Sequence, residues 1–164
     1  MIQPISHLNP YYHSNSIDRK NYSCTSCILP QNGRNYSIFD KEEVDYFVKQ
    51  GDKAFPQLTY LLSNSNNEGQ IVETLHIMNK MADNGVKGIN RLYPYFARFN
   101  YTTSPNIQSY LAGIYRKTQV PDGFGPLVKM LVQNSMNPKQ NANFDPNEEI
   151  GGAILSYLSD RFRK

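Results

Sequence analysis

The sequence predicts an all-α protein: a short α-solenoid of about three antiparallel helix pairs and a C-terminal capping helix, preceded by a disordered N-terminal arm. Two observations lead to this fold class. From Phe39 onward, apolar residues recur with a period of 34 to 36 residues, and within each period they are three or four residues apart. A period of this size indicates stacked supersecondary units, and the shorter spacing is that of a helix packed on one side.

Residues 1–38 form the predicted arm, and residues 39–164 form the predicted helical-repeat domain. The arm is rich in Ser, Asn, Pro and Tyr and has no sustained helical or strand periodicity, so it offers little apolar surface to bury. We expect it to be disordered or draped over the helices. Four of its tyrosines are candidates for a docking segment, with a plain polar tail as the simpler interpretation: Tyr11, Tyr12, Tyr22 and Tyr36.

The first helix of each pair, here called the A helix, is predicted in three stretches. Their sequences are DKEEVDYFVKQ, QIVETLHIMNKM and NIQSYLAGIY. Their apolar stripes are Val44, Phe47 and Val48, then Ile71, Leu75 and Met78, then Ile107, Leu111 and Ile114. The second and third stripes are 36 residues apart, which indicates a repeated unit.

The second helix of each pair, the B helix, is predicted in segments that begin at Lys53, Lys87 and Asp122. Three sets of apolar residues superimpose: Phe55, Ile89 and Phe124; Leu58, Leu92 and Leu127; Leu62, Phe96 and Leu131. Pro94 lies in the middle of the second B helix. Because proline lacks a backbone N–H, we expect a kink there.

Turn and cap residues fall between these stretches. Gly51-Asp52, Asn84-Gly85 and Asp122-Gly123 lie between the A and B helices, where glycine accepts a positive φ and aspartate can cap the next helix. Ser104-Pro105 is expected to begin the third A helix, and Asp145-Pro146 the final helix. That final helix has these apolar residues: Ile150, Ala153, Ile154, Tyr157, Leu158 and Phe162. We expect it to close the end of the stack, unless another subunit does so.

The first B segment resembles the B helix of HEAT repeats. A turn at Gly51-Asp52 leads into Ala54-Phe55-Pro56-Gln57-Leu58 and ends in the aliphatic pair Leu61-Leu62. The resemblance covers about residues 40–164, although Asn90 replaces the proline in the second unit and no regular Asp/Arg ladder is present. It implies a stack of helix pairs whose concave wall holds a partner. Most domains of this kind are scaffolds for proteins; a few bind nucleic acid, and isolated relatives serve chromophore attachment or DNA-base excision.

A surface richer in basic than acidic residues is predicted on the B helices. If Phe55, Leu58 and Leu62 face the core, helical geometry directs the opposite side outward. We call its five basic residues the basic ridge: Lys53, Lys87, Arg91, Arg98 and Lys129, with Gln57 and Tyr60 beside them and Asp122 as the single acid. The first two A helices carry more acids, including Glu42, Glu43, Glu68, Glu73 and Asp83. The predicted partner site is therefore Lys53, Gln57, Tyr60, Lys87, Arg91, Arg98 and Lys129.

The asymmetry favours an acidic partner, and the leading hypothesis is a non-enzymatic scaffold or adaptor that binds a protein. Ordinary solvation of charged helix faces is the simpler alternative. A nucleic-acid-binding solenoid is the second functional hypothesis, although the near balance of charge after residue 39 is unlike that of strongly basic nucleic-acid-binding domains. An enzyme or lyase-like accessory protein is the third, and it would need a cofactor or a reactive thiol.

Cys24 and Cys27 are the only cysteines, and both lie in the arm. Zinc would need two more ligands, and the spacing to His7 and His13 matches no standard finger, so no metal and no cofactor is expected. His76, on the second A helix, has no nucleophile or carboxylate placed by motif and is interpreted as structural. The chain shows no signal-peptide core and no apolar run of membrane-spanning length, so the expected location is the cytoplasm, without membrane association.

Overall fold

The structure is a computed structural model and describes residues 41–137 and 145–163. All regular secondary structure in these two ranges is helical. The predicted arm at residues 1–38, with Cys24 and Cys27, lies outside the described residues. Its predicted disorder therefore stays a prediction.

The described helices follow the predicted order. Their bounds are α1 Lys41–Gln50, α2 Phe55–Asn64, α3 Glu68–Asp83, α4 Tyr93–Phe96, α5 Pro105–Thr118, α6 Phe124–Met136 and α7 Asn147–Phe162. Short 3₁₀ turns occupy Gly51–Ala54, Ile89–Leu92, Ala97–Phe99 and Pro121–Gly123. The A helices are α1, α3 and α5, and the first and third B helices are α2 and α6.

The second B helix is more irregular than predicted. Instead of one kinked helix, residues 89–99 form a 3₁₀ turn, the four-residue helix α4 and a second 3₁₀ turn. Pro94 lies in the first turn of α4, where its missing N–H leaves no hydrogen bond unmade. The backbone N–H of Tyr93 bonds instead to the carbonyl of Asn90 in a 3₁₀ pattern. The proline thus separates short turns rather than bending a continuous helix.

Helices at equivalent positions of neighbouring units pack against one another. Helix α3 packs on both α1 and α5, and α7 packs on α5 and α6. On the other side, α2 contacts α3 and α4. The four helices α1, α3, α5 and α7 therefore form a layer in chain order, with α2, residues 89–99 and α6 beside it.

The repeated apolar residues form the core between these helices. Leu58, Leu62, Phe96 and Leu127 are fully buried, and Leu92 is 3% exposed. The A-helix stripes of α3 and α5 are buried. In the stripe of α1, Phe47 is fully buried, and Val44 and Val48 are partly buried. Phe124 and Leu131 are partly buried and pack against the same core. The burial predicted from the period is thus confirmed.

Two of the predicted turn glycines have the expected conformation, and the third does not. Gly51 and Gly85 have φ of 58° and 81°. Gly123 has φ −79°, but a Cβ atom there would lie 2.4 Å from Cδ1 of Tyr115 and 2.6 Å from the hydroxyl oxygen of Tyr157. Close approach of two tyrosines, rather than a positive φ, requires glycine at this position.

Helix caps are confirmed at some predicted positions. Ser104 Oγ accepts a hydrogen bond from the N–H of Ile107 at 3.3 Å, and Asp145 Oδ1 accepts one from the N–H of Asn147 at 2.9 Å. The predicted capping by Asp52 and Asp122 is wrong, because neither the 3₁₀ turns that contain them nor the helices that follow have a side-chain cap. The local 3₁₀ turns satisfy the backbone there instead.

The final helix α7 covers the core with only one side. Ile150 and Ala153 are fully buried and Tyr157 is 8% exposed, and the Tyr157 hydroxyl donates to the carbonyl of Val120. Phe162, predicted as part of the apolar stripe, is instead 87% exposed. It is the last residue of α7, and its spacing of seven residues from Leu155, which is 64% exposed, places both on the same side of the helix. Among the described residues, no helix has both the length and the apolar character needed to cross a membrane.

Candidate functional site

The five residues of the basic ridge are all solvent-exposed. Tyr60, predicted beside them, is half-buried. None of the five forms an ion pair with a carboxylate within residues 41–137 and 145–163. By contrast, the two basic residues near the end of α5 are paired, Arg116 with Glu149 at 3.4 Å and Lys117 with Asp83 at 3.0 Å.

Gln57 does not belong to this surface. Its side chain is 3% exposed, and its amide nitrogen Nε2 has no hydrogen-bond partner among the described residues. Gln57 was expected to point outward because it lies opposite the apolar stripe of α2. That expectation holds only if one side of the helix is buried. Helix α2 contacts α3 on one side and α4 on another, so its buried sector is wider than the apolar stripe, and the prediction for Gln57 is wrong.

Arg98 has a structural role that the sequence did not reveal. Its guanidinium donates to the carbonyl oxygens of Leu62 at 2.6 Å and Ser63 at 2.8 Å, and to Asn66 Oδ1 at 3.4 Å. These carbonyls lie in the last turn of α2, where backbone acceptors lack partners within the helix. The cation also complements the negative end of the helix dipole. Arg98 thus caps the preceding B helix and joins two units.

Arg91 and Lys129 also contact residues that precede their own segments. The Arg91 guanidinium lies over the Phe55 ring at 5.6 Å, and Lys129 Nζ lies over the Tyr101 ring at 4.9 Å. Gly88 has φ 88°, and a Cβ atom there would lie 2.3 Å from Nη2 of Arg91. Glycine therefore lets the arginine lie close against the backbone. Both cations keep their charge exposed while their positions are fixed by an aromatic ring.

Lys53 and Lys87 differ from the other three basic residues. They occupy equivalent positions, 34 residues apart, before α2 and before the 3₁₀ turn of the second B segment. Neither has a hydrogen bond, ion pair or ring contact within the part of the chain that the structure describes. Their ammonium groups are therefore available to a partner without breaking an intramolecular contact with these residues.

The acidic character of the A helices is smaller at the surface than in the sequence. Glu43 and Glu73 are only 2% and 4% exposed, and Glu68 Oε1 accepts a hydrogen bond from Asn106 Nδ2 at 3.0 Å. Burial between helices removes the first two carboxylates from the exposed face. The predicted contrast between acidic A helices and basic B helices is thus carried mainly by the basic ridge.

His76 lies between α3 and α5 in a polar contact region. Its ring meets the Tyr110 ring edge-to-face at 5.6 Å. Burial, together with the nearby Lys80 and Lys117, lowers the pKa of His76 from 6.5 to about 4, against a smaller opposite effect of Asp83. The imidazole is therefore neutral near pH 7. No group of three or more His, Cys, Asp or Glu side chains suited to a metal ion occurs among the described residues.

Asn79 is the central polar residue of the α3–α5 contact. Its Nδ2 donates to the carbonyls of Leu75 and Tyr110 at 2.9 Å and 3.0 Å, and its Oδ1 accepts from Lys117 Nζ at 2.9 Å. A Cβ atom on Gly113 would lie 2.7 Å from this Oδ1. The pattern of apolar residues does not predict the contact between Asn79 and Gly113, because that contact depends on which faces of α3 and α5 pack together.

Two exposed aromatic side chains near the basic ridge were also missed. Tyr101 is 71% exposed and Tyr95 is 39% exposed. Tyr101 follows the second B segment, and Tyr95 lies within α4. The exposure of Tyr101 could have been predicted from its position outside the apolar repeat. The exposure of Tyr95 could not, because it depends on the irregular course of residues 89–99.

The B segments thus carry five exposed cations, none of which pairs with a carboxylate among the described residues, and the two exposed tyrosines Tyr95 and Tyr101. No family model, no curated protein and no solved structure matches this chain.

Proposed function

We propose that residues 39–164 form a short HEAT-like α-solenoid that binds an acidic segment of a partner protein on its B-helix side. The contacts between successive A helices, from α1 through α3 and α5 to α7, support the solenoid arrangement. In such stacks, the inner helices supply an extended concave surface for partners. The protein acts in this proposal as a scaffold or adaptor and not as an enzyme.

The observation that most strongly supports an acidic partner is the pair Lys53 and Lys87. Both are exposed, both lack an intramolecular partner among the described residues, and they recur at the repeat spacing. Arg91 adds a third exposed cation in the same B segments, with its guanidinium over the Phe55 ring. An extended peptide with carboxylates would meet successive cations along adjacent units.

The neighbouring tyrosines support a protein partner in particular. Arginine and tyrosine are enriched in protein interfaces, because both combine a large apolar area with polar groups at their ends. Tyr101 offers such area beside Lys129, and Tyr95 is a second exposed tyrosine of the B segments. The aromatic–cation pair of Tyr101 and Lys129 also suits a stacked base, so a single-stranded nucleic acid is the second candidate.

The experiment replaces Lys53 and Lys87 with glutamate in one variant. Arg98 is left unchanged, because its substitution would also remove the cap of α2. The matched control is Lys41→Glu with Lys80→Glu, which makes the same change in charge at two exposed A-helix lysines. Circular dichroism should show equal helicity for all three proteins.

Binding is measured by fluorescence anisotropy with a labelled peptide library rich in Asp and Glu, and separately with a labelled single-stranded oligonucleotide. We expect peptide binding by the wild type and the control, and a loss of about tenfold or more in the Lys53/Lys87 variant. Equal peptide binding by both variants would exclude these lysines as the site. Binding of the oligonucleotide alone, with affinity that falls steeply with salt, would replace the protein partner with nucleic acid.

A further inference from the structure

The outer face of helix α7 carries two large apolar side chains that are exposed to solvent. Ile150, Ala153 and Tyr157 face the core, whereas Leu155 and Phe162 on the other side are 64% and 87% exposed. With about 3.6 residues per turn, residues seven apart lie on one stripe, so Leu155 and Phe162 share a face. That stripe also includes Glu148 and is bordered by Gly151, Gly152, Leu158 and Ser159.

The two glycines of this face are not required by packing among the described residues. A Cβ atom on Gly151 would meet nothing within 4 Å, and one on Gly152 would meet only Arg116 Nη1 at 3.5 Å, an ordinary contact. Gly113 and Gly123 differ, since a Cβ atom there would collide with buried side chains. Glycine inside a helix is unfavourable relative to alanine. At Gly151 and Gly152 it leaves a low, flat area between exposed apolar residues, where another helix can approach closely.

The charges at the two ends of α7 are opposite. Glu148 is exposed in the first turn, and Arg163 follows the last turn with a side chain 80% exposed. The contact of Arg163 with Asp160 is loose, at 4.0 Å. Two such helices side by side in the same direction would place like charges together. In opposite directions each acidic end meets a basic end, and the helix dipoles are also aligned favourably.

We propose that this face binds α7 of a second copy of the chain, with the two helices antiparallel about a two-fold axis near Leu155. Residues equally distant from Leu155 then lie opposite one another. Glu148 faces Phe162 and Arg163 of the second copy, and Gly152 faces its Leu158. Each exposed Phe162 ring packs near Gly151 of the other helix. The interface is isologous, so it closes at the dimer and does not propagate.

One helix pair buries a small area, which places the interface in the class of weak or transient complexes. We therefore expect a dissociation constant on the order of micromolar. No residue of the basic ridge lies on α7, so the dimer and the proposed partner-binding surface can fail independently.

Sedimentation equilibrium of the full chain, over a range of concentrations and with Cys24 and Cys27 kept reduced, measures the dimer directly. We expect Leu155→Glu to raise the dissociation constant by about tenfold or more, because it buries two like charges at the axis. Val132→Glu is the matched control: it makes the same kind of change at a residue that is 50% exposed, but on α6. Its dissociation constant should equal that of the wild type.

The antiparallel geometry is tested by exchanging the end charges. Glu148→Arg alone and Arg163→Glu alone should each weaken the dimer, whereas the double variant should restore it, because both contacts are then reversed together. A wild-type chain that stays monomeric at all concentrations would overturn the proposal. A dimer that is unaffected by Leu155→Glu, or that the double charge exchange fails to restore, would do so as well, and would direct attention to another occupant of this face.

Discussion

Arg98 is exposed, yet the structure predicts that its removal is costly. Arg98→Ala removes the guanidinium hydrogen bonds to the carbonyls of Leu62 and Ser63, the contact with Asn66, and the stacking of Arg98 on the Phe99 ring at 4.8 Å. The backbone of the last turn of α2 then loses its cap and its link to the next B segment. A count of surface charges would predict no effect.

The magnitude follows from these contacts. Hydrogen bonds to charged donors contribute about 1.5–3 kcal/mol when buried, and a partly exposed pair is better taken at about 1 kcal/mol for each of the two short bonds. The exposed cation–ring contact adds roughly 0.5 kcal/mol. We therefore expect the free energy of unfolding to fall by about 2 kcal/mol, with a decrease in Tm of roughly 10 °C for a domain of this size.

Urea titrations followed by far-ultraviolet circular dichroism measure this change. Arg98→Lys should give an intermediate loss, because an ammonium keeps the favourable charge at the helix end but lacks the second nitrogen that donates to Asn66 and the planar group that stacks on Phe99. Lys87→Ala serves as the control and should stay within about 0.5 kcal/mol of the wild type. If Arg98→Ala were as stable as Lys87→Ala, the capping role assigned to Arg98 would be refuted.

Three further predictions concern the packing between helices. Gly123→Ala should lower the free energy of unfolding by about 1–3 kcal/mol, because its Cβ atom would overlap Tyr115. Gly125→Ala is the control, and it should not destabilise the protein, because a Cβ atom there meets no described atom within 4 Å. Urea titrations compare the two variants. Asn79→Ala should lower the free energy of unfolding by about 2 kcal/mol in the same assay, since it removes the two hydrogen bonds that join Asn79 of α3 to Tyr110 and Lys117 of α5. The pKa of His76 is about 4 in the folded chain, so the unfolded chain binds more protons below pH 6.5, and stability should fall as the pH drops from 6.5 to 4. We expect a loss on the order of 2 kcal/mol after solvent screening is considered, and His76→Gln should remove this part of the pH dependence in urea titrations at several pH values.

Much of the helical organisation could be predicted because it depends on local spacing. The segments read from the period coincide with the observed helices to within a few residues, and Ser104 begins α5 as expected. The exception is residues 89–99. There Pro94 acts together with the arrangement of the surrounding helices, and the apolar period does not distinguish a continuous helix from a series of short turns.

The candidate surface could be predicted only in part. A side chain such as Lys53 or Lys87 lies outward whatever its neighbours are, because a charged group that has no partner is not buried. Gln57, Glu43 and Glu73 were assigned wrongly, since their burial depends on how many sides of a helix are covered. The HEAT-like arrangement stays a proposal, and the charge reversal of Lys53 and Lys87 tests the proposed protein-binding function.

By itself, then, the sequence determined the approximate bounds of the helices outside residues 89–99 and most of the apolar residues of the core, because those properties follow from the spacing of residues three or four apart. Only the tertiary structure decided which polar groups are available at the surface. Arg98 and Lys87 look alike in the sequence, but one is bound to the carbonyls of a helix more than thirty residues away and the other is free among the described residues. That difference arises from packing between units, which local spacing does not record.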